Sequence, residues 1–319
     1  MARQQFVPLV PHSGAESRMT SRTLLFVGVL LVLAVPAARA QSAYDRARAA
    51  FERGQLDSAY DLIRRAADAE PNRAEVQFLL GDIACNKAGR AGALSAFGLA
   101  RKCKAAFSRA VALAPDSLTY LESLASYLSQ APGIVGGDKD SALMLAERVR
   151  QRDEVAGAFL LAGIWWSGNA ASKVRADSVV EAVAEHHPDD RSVQLRVAGW
   201  WSGTNRAERA LAAYDGLAVR DPRDAVARFF LGRQLVLMNR EPRRAQEHLR
   251  FAAVAVPAPG AGPGPGVTTI TPGASWYRLG QTYVQLGMSD SARICFERAL
   301  QINPALQPAR ASLDSLTHH

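Results

Sequence analysis

The chain has 319 residues, 48% of them hydrophobic, so it is long and apolar enough to bury a large folded core. Its formal net charge is +8, and its 38 basic residues, mostly Arg, are scattered among 30 acidic ones. The sequence has no basic block with interleaved aromatic residues, which disfavours nucleic-acid binding. The composition therefore indicates a globular protein whose partners are not nucleic acids.

The N-terminus has the pattern of a secretory signal peptide. An apolar run from Leu24 to Val35 is preceded by Arg18 and Arg22 and is followed by the A-x-A sequence that ends at Ala40. The run is short for a membrane-spanning helix, although an uncleaved membrane anchor is the alternative interpretation. Translation could start at Met1 or at Met19.

Cleavage after Ala40 would remove a signal peptide of residues 1–40. The lost segment contains four Arg and one Glu, so the net charge would fall from +8 to +5. We expect an exported protein, periplasmic or secreted, that is not an integral membrane protein after cleavage.

Beyond Gln41 nearly all of the sequence has a helical pattern, and one spaced triplet recurs. It consists of a small residue, a small or aliphatic residue seven positions later, and Pro five positions after that. Seven residues make two helical turns, so the first two members share one face, and the Pro ends the helix. The complete copies are Ala59/Ala66/Pro71, Cys103/Ala110/Pro115, Ala176/Val183/Pro188, Ala210/Leu217/Pro222, Ala245/Ala252/Pro257 and Ala292/Ala299/Pro304; a seventh, Ala142/Val149, has Glu154 in place of Pro.

An apolar helix precedes each triplet, most clearly in WYRLGQTYVQLGMSDSARICFERALQINP, residues 276–304. This stretch resembles the tetratricopeptide repeat (TPR), whose pattern is W-x2-L-G-x2-Y, then A-x3-F, then P, in a unit of about 34 residues. The resemblance covers residues 41–304. It implies an all-α fold, a right-handed α-solenoid of about seven helix-turn-helix units with a C-terminal capping helix.

The predicted organisation follows this repeat. Insertions are expected between the two helices of the second unit, at residues 87–102, and in a Pro/Gly-rich turn of the third, at residues 131–139. We assign TPR units 1–6 to residues 41–257, a Pro/Gly-rich flexible loop to 258–273, TPR unit 7 to 274–305, and a capping helix with a tail to 306–319.

Two segments sharpen the resemblance. GLARKCKAAFSRAVALAPD, followed by YLSQAPGIVGGDKDSALMLAE, resembles a stretch found in exported bacterial TPR proteins. The turn GGDKDSA within it is similar to periplasmic TPR components associated with TRAP transporters. These likenesses imply an envelope location and a transport-associated alternative function.

Three cysteines occur, Cys85, Cys103 and Cys295. Cys85 and Cys103 are predicted to lie on antiparallel helices of one unit, where they would form a disulfide that closes a loop of about 18 residues. Alternatively, both are small, reduced core residues. Cys295 has no evident partner.

The first helices of successive TPR units line a concave groove, where ligands usually bind. Mixed aromatic and Arg side chains there would suit a peptide or helix docked through apolar anchors and charge-assisted hydrogen bonds. A groove with no dedicated ligand is the alternative. The predicted groove residues are Tyr44, Arg48, Phe51, Phe78, Asp82, Glu122, Ser126, Phe229, Arg233, Tyr277 and Gln281.

Motifs of catalysis, cofactor binding and metal binding are not found, so we predict neither an enzyme nor a cofactor. The Lys, Asn and Arg set with which chaperone-binding TPR proteins hold a peptide carboxylate is not matched either. The function expected is a non-enzymatic scaffold of the cell envelope that binds a protein or peptide partner of unknown identity in its groove. The alternative is a small-ligand-binding or transport-associated periplasmic protein.

The tetrapeptide WWSG occurs twice, at residues 165–168 and 200–203. By the repeat register, Trp166 and Trp201 are predicted to pack in the core of their own units. Trp165 and Trp200 should then stack on one another between the fourth and fifth units. An aromatic platform for a ligand is the other interpretation.

Overall fold

The computed structural model describes residues 43–255 and 270–317, and within these ranges the protein contains α-helices and no β-strand. The predicted signal peptide, residues 258–269 of the predicted loop and the last two residues lie outside the described ranges. The helices are α1 (43–52), α2 (Leu56–Ala69), α3 (Ala74–Ala88), α4 (Ala93–Leu113), α5 (Leu118–Gln130), α6 (Lys139–Arg150), α7 (Glu154–Trp166), α8 (Ala170–His186), α9 (Arg191–Gly203), α10 (Ala207–Arg220), α11 (Ala225–Leu237), α12 (Pro242–Ala255), α13 (Ala274–Gln285), α14 (Ser289–Ile302) and α15 (Gln307–Thr317).

The chain divides after Asp138 into two compact parts, which we call the N-terminal lobe and the C-terminal lobe. Within each lobe consecutive helices pack against one another as hairpins. The predicted fold class, an all-α solenoid of helix-turn-helix units, is confirmed. In the part of the chain described here, no helix combines the length and the apolar character needed to cross a membrane.

The recurring triplet has the structural role predicted for it. All fourteen small or aliphatic members are buried, and the most exposed of them, Leu217, retains 6% of its surface. The five Pro members in described segments each stand two positions after the last residue of a helix, as Pro71 does after Ala69. Pro257 lies outside the described residues. The triplet is therefore a packing and termination signal, as the helical geometry requires.

Glycines of the first helices allow the two helices of a hairpin to approach closely. A Cβ atom added to Gly81 would lie 2.5 Å from the ring of Phe107 on α4. Gly280 faces the ring of Phe296 on α14 in the same way. At both places a large ring of the second helix fills the space that a side chain of the first helix would otherwise need.

The predicted insertion at residues 87–102 is not a loop in the structure. The turn after α3 is short, residues 89–92, and the remaining extra residues lengthen α4 to 21 residues. They do so because Ala93–Lys102 contains no Pro and has several good helix formers.

The second insertion, residues 131–139, packs onto the lengthened α4. It contains a short 3-10 helix, Gly133–Val135, and the hydroxyl of Tyr127 lies 2.9 Å from the carbonyl oxygen of Val135 and 2.8 Å from that of Ala100. A Cβ atom at Gly137 would collide with the carbonyl oxygen of Ala131, so the turn requires Gly there.

In the C-terminal lobe, ion pairs join the second helix of one hairpin to the second helix of the next hairpin or to the turn that precedes it. In each pair an acid belongs to one hairpin and an Arg follows 28–32 residues later, about one repeat further on. The pairs are Asp177–Arg206 at 2.6 Å, Glu181–Arg209, Asp215–Arg244 and Glu208–Arg240 at 2.9 Å. We refer to this series as the ion-pair ladder.

The two WWSG segments make a contact between hairpins, but not the one predicted. The ring of Trp200 on α9 meets the ring of Trp166 on α7, with a centroid distance of 5.6 Å and an interplanar angle of 77°. Trp201 is buried as expected, whereas Trp166 is only half-buried. The prediction that Trp165 stacks on Trp200 is therefore wrong, because α7 is rotated so that Trp166 faces α9.

Candidate functional site

The first helices of the N-terminal lobe bring several aromatic rings together. The ring of Phe78 on α3 stacks on that of Tyr120 on α5, with centroids 4.7 Å apart, and it also contacts Phe107 at 5.6 Å. Tyr44 on α1 lies under the guanidinium of Arg73, whose Cζ atom is 4.9 Å from the ring centroid. All of these except buried Phe107 are half-buried, so their edges remain open to a partner.

Asp82 lies one helical turn beyond Phe78 on α3. Burial raises the pKa of its carboxyl group to about 6, from an ordinary value of 3.8. No residue described in the structure donates a hydrogen bond or forms an ion pair with this carboxylate. We call Tyr44, Phe78, Asp82 and Tyr120 the N-terminal face.

Asp82→Asn is expected to stabilise the protein at about pH 8 by about 1–2 kcal/mol. The full shift in pKa corresponds to about 3 kcal/mol, and we discount it because the group is only half-buried. Since the folded state binds the proton more tightly than the unfolded state, the wild type loses stability as the pH rises from about 4 through about 6. Urea unfolding across this range measures the difference.

The gain from Asp82→Asn should vanish below about pH 4, where the carboxyl group is protonated in both states. Asp68→Asn, at an exposed carboxylate on α2, is the matched control and should have little effect at any pH. A gain that is equal at low and high pH would show that burial of the charge is not the cause.

A cleft of about 710 Å³ adjoins this face within the N-terminal lobe. It is lined by α3, α4, α5 and the 131–139 turn, and it contains the predicted residues Glu122 and Ser126. Phe107, Tyr127 and Val135 supply its apolar wall. Its volume and its few polar groups are typical of a site for a small molecule.

Two predicted groove residues of α1 have other surroundings. Arg48 is exposed and its Nε atom pairs with Glu52 at 3.0 Å, which neutralises its charge. Phe51 is half-buried near the end of the helix. Arg48 interacts electrostatically with Tyr44, one turn earlier on α1, but no described ring contact joins Arg48 or Phe51 to Phe78 or Tyr120.

A disulfide joins Cys85 on α3 to Cys103 on α4, with a Cα–Cα distance of 5.3 Å. Cys103 is fully buried, and Cys85 also lines the cleft. Cys295 is a free, buried thiol, and burial raises its pKa to about 11. The bond therefore ties together the two helices that form one wall of the cleft.

The C-terminal lobe gathers three of its four predicted groove residues. Tyr277 and Gln281 are half-buried on α13, where the Gln281 amide donates a hydrogen bond of 2.9 Å to the Tyr277 hydroxyl. Arg278 in turn donates to the Gln281 Oε1 atom at 2.8 Å. Burial lowers the pKa of Arg278, and the charge of Arg233 on α11 lowers it further. The fourth residue, Phe229, does not belong to this surface.

Phe229 is buried, with 4% of its surface exposed, and its ring packs against that of Phe230 at 5.1 Å. The repeat register predicted that Phe229 lies in the groove. In the structure α11 is buried on most of its sides, and Phe229 lies in the core. Sequence reasoning missed Tyr120 on α5 and Arg278 on α13, which the repeat register gives no reason to place on these surfaces.

One segment of the chain matches a known repeat family. Residues 273–306 match the family model described as Tetratricopeptide repeat. No curated protein matches the chain. A crystal structure of a tetratricopeptide repeat protein from Parabacteroides merdae has a TM-score of 0.50 at 13% identity, over 88% of this chain and 99% of that one.

A second solved structure is c5321, a protective antigen present in uropathogenic Escherichia coli strains that displays an SLR fold. It has a TM-score of 0.42 and 16% identity, over 88% of this chain and 57% of that one. At 13% identity the similarity to the Parabacteroides merdae protein concerns the fold alone.

Proposed function

We propose that this protein is a non-enzymatic scaffold of the cell envelope, because residues 273–306 match the tetratricopeptide repeat model and helical hairpins make up both lobes. Scaffolds of this fold commonly mediate protein interactions and are generally not catalytic. The partner would be a protein or peptide that docks on the first helices of the repeats. Export rests on the signal-peptide pattern of residues 1–40.

The observation that supports binding is the N-terminal face. Two stacked rings remain half-exposed beside a carboxylate that no described residue pairs. Burying such a charge costs stability in the free protein, and a cationic or hydrogen-bonding group of a partner would offset that cost. The exposed ring edges would supply the apolar anchors.

A second candidate function is the binding of a small molecule, which the cleft beside this face supports. The turn that resembles transport-associated periplasmic proteins forms part of its wall through Pro132 and Val135. Under this alternative the cleft, and not the open face, holds the ligand.

Photo-crosslinking in living cells tests the scaffold proposal. Tyr120 is replaced by the photo-reactive residue p-benzoylphenylalanine, and Leu94, which is 94% exposed on α4, is replaced in a control strain. We expect an adduct of reproducible mass from position 120 and none from position 94. The adduct should fractionate with the envelope, and the mature chain should begin at Gln41.

Equal adducts from both positions, or none from position 120, would contradict docking on the first helices. If a small molecule instead co-purifies with the protein and is seen by native mass spectrometry, the cleft is the favoured site. Recovery of the protein in the cytoplasmic fraction with residues 1–40 intact would contradict export.

A further inference from the structure

The N-terminal end of α4 extends beyond the helix with which it forms a hairpin. The disulfide places Cys85 opposite Cys103, so α3, which ends three residues after Cys85, ends level with Ala100. Residues 93–99 of α4 therefore extend about two helical turns further than α3. We call residues 91–100 the α4 tip.

The α4 tip is uncharged and presents large apolar side chains to solvent. Leu94 and Phe97 are three positions apart, so they share one face of the helix, and they are 94% and 38% exposed. Ile134, in the turn that packs onto α4, is 77% exposed. That turn lies along the side of α4 that continues from Phe97, because a Cβ atom on Gly136 would be 2.7 Å from the side chain of Lys104. Single exposed apolar residues are common, but three beside one uncharged helix end point to a docking surface.

Positive charge surrounds the α4 tip. Residues 83–115 contain six basic residues and no acidic one. The guanidinium of Arg101 lies against the tip, with its Cζ atom 5.8 Å from the centroid of the Phe97 ring. Lys87 is paired with Asp57, a residue of α2. In the described part of the chain no carboxylate forms an ion pair with the other four basic residues that flank the tip, Arg90, Arg101, Lys102 and Lys104. The surface beside the exposed apolar side chains is therefore cationic.

We propose that the α4 tip docks this protein on an anionic lipid membrane, with Leu94 and Phe97 inserted among the headgroups and the flanking basic residues on lipid phosphates. Interfacial helices bind anionic bilayers through this combination of an apolar face with Lys and Arg beside it. The helix would lie at the surface without crossing the bilayer. A protein partner matches the tip less well, because a stable protein interface takes about 20–30 residues on each side and the tip with its turn supplies fewer.

Sedimentation with lipid vesicles tests the proposal on the predicted mature chain, which begins at Gln41 and so lacks the apolar run of the signal peptide. The vesicles contain phosphatidylcholine alone or phosphatidylcholine with about one third phosphatidylglycerol, at about 0.1 M salt. We expect the partition coefficient of the protein to be at least about tenfold higher for the anionic vesicles. Leu94→Ser/Phe97→Ser and Arg90→Gln/Arg101→Gln should each lower that coefficient by at least about tenfold.

Each double variant has a matched control at exposed positions of the C-terminal lobe. Ile294→Ser/Ile302→Ser removes two exposed apolar side chains, and Arg298→Gln/Arg310→Gln removes two exposed charges. Both controls should leave the partition coefficient within about twofold of the wild type. Equal losses in a tip variant and its control would show non-specific adsorption and overturn the proposal, as would binding that is absent or equal on the two kinds of vesicle. Circular dichroism of each variant excludes unfolding as the cause of a loss.

A fluorescent label gives a second measurement that keeps the basic residues in place. Leu94→Cys introduces an exposed thiol into a chain whose other cysteines are a disulfide and the buried Cys295, so a nitrobenzoxadiazole label reacts at position 94. Its emission should rise and shift to shorter wavelength on anionic vesicles, whereas the same label on Ile294→Cys should not respond. An unchanged emission at position 94 would overturn the proposal.

The α4 tip and the N-terminal face are tested separately. Phe78 lies near the start of α3, whereas the tip lies beyond the end of that helix. A partner that crosslinks from position 120 while the anionic vesicles fail to bind would reject the membrane contact and leave the scaffold proposal intact. A lipid adds too little mass to be seen as an adduct on a gel, so a protein adduct from position 94 would show that a protein docks on the tip and would overturn the membrane proposal.

Discussion

Trp200→Ala is expected to lower the free energy of unfolding of the C-terminal lobe by about 3 kcal/mol. The side chain joins two hairpins: its ring contacts Trp166 at 5.6 Å and Phe159 at 6.4 Å, and its Nε1 atom donates to Asp177 at 3.3 Å. Truncation would remove these contacts together. Because repeats are stabilised largely by their neighbours, the loss should destabilise both hairpins at once. Urea unfolding followed by far-UV circular dichroism measures it.

Trp165→Ala is the matched control, since Trp165 is a half-buried residue of the same tetrapeptide without a ring contact to Trp200. It should cost clearly less, and Trp200→Phe, which keeps a ring but loses the bond to Asp177, should cost about 1 kcal/mol. If Trp200→Ala left stability unchanged and abolished crosslinking to a partner, the tryptophans would be a ligand platform instead of a contact between hairpins.

Removal of the disulfide by Cys85→Ala/Cys103→Ala is expected to lower the stability of the N-terminal lobe by about 3 kcal/mol, the value for a loop of this length. The bond limits the conformations of the unfolded chain between α3 and α4. A reductant should destabilise the wild type by a similar amount and have no effect on the double variant. Urea unfolding with and without the reductant provides the comparison.

Thiol counting tests the bond independently. The native protein should show no fast-reacting thiol, because Cys295 is buried and its pKa is raised to about 11. Denaturation without reductant should expose a single thiol, and reduction should bring the count to all three cysteines. Three thiols in denatured protein that was never reduced would mean that Cys85 and Cys103 are free.

The spacing of small residues and Pro predicted most of the helical architecture, because both properties act locally and repeat with the chain. Ala292 and Ala299 need only be two turns apart to share a face, and Pro304 need only follow the helix to end it. The rotation of each helix is not local. It depends on the neighbouring hairpin, so Phe229 and the Trp165–Trp200 contact were misassigned.

The candidate site residues likewise divide into those that a local pattern predicts and those that depend on contacts between hairpins. Tyr44, Phe78 and Asp82 could be predicted because the first-helix register places them on one side. Tyr120 could not, because it joins this face through a ring contact between neighbouring hairpins, which the repeat register does not predict.

The ion-pair ladder also bears on how such a chain can lengthen. The α9–α10 hairpin receives acids from the previous hairpin through Arg206 and Arg209, and it presents acids to Arg240 and Arg244 of the next. A tandem duplication of this hairpin would therefore place complementary edges in contact at the new junction. The two WWSG segments, 35 residues apart, fit such a duplication. The ion-pair ladder would fix the direction and register of the inserted hairpin against its neighbours.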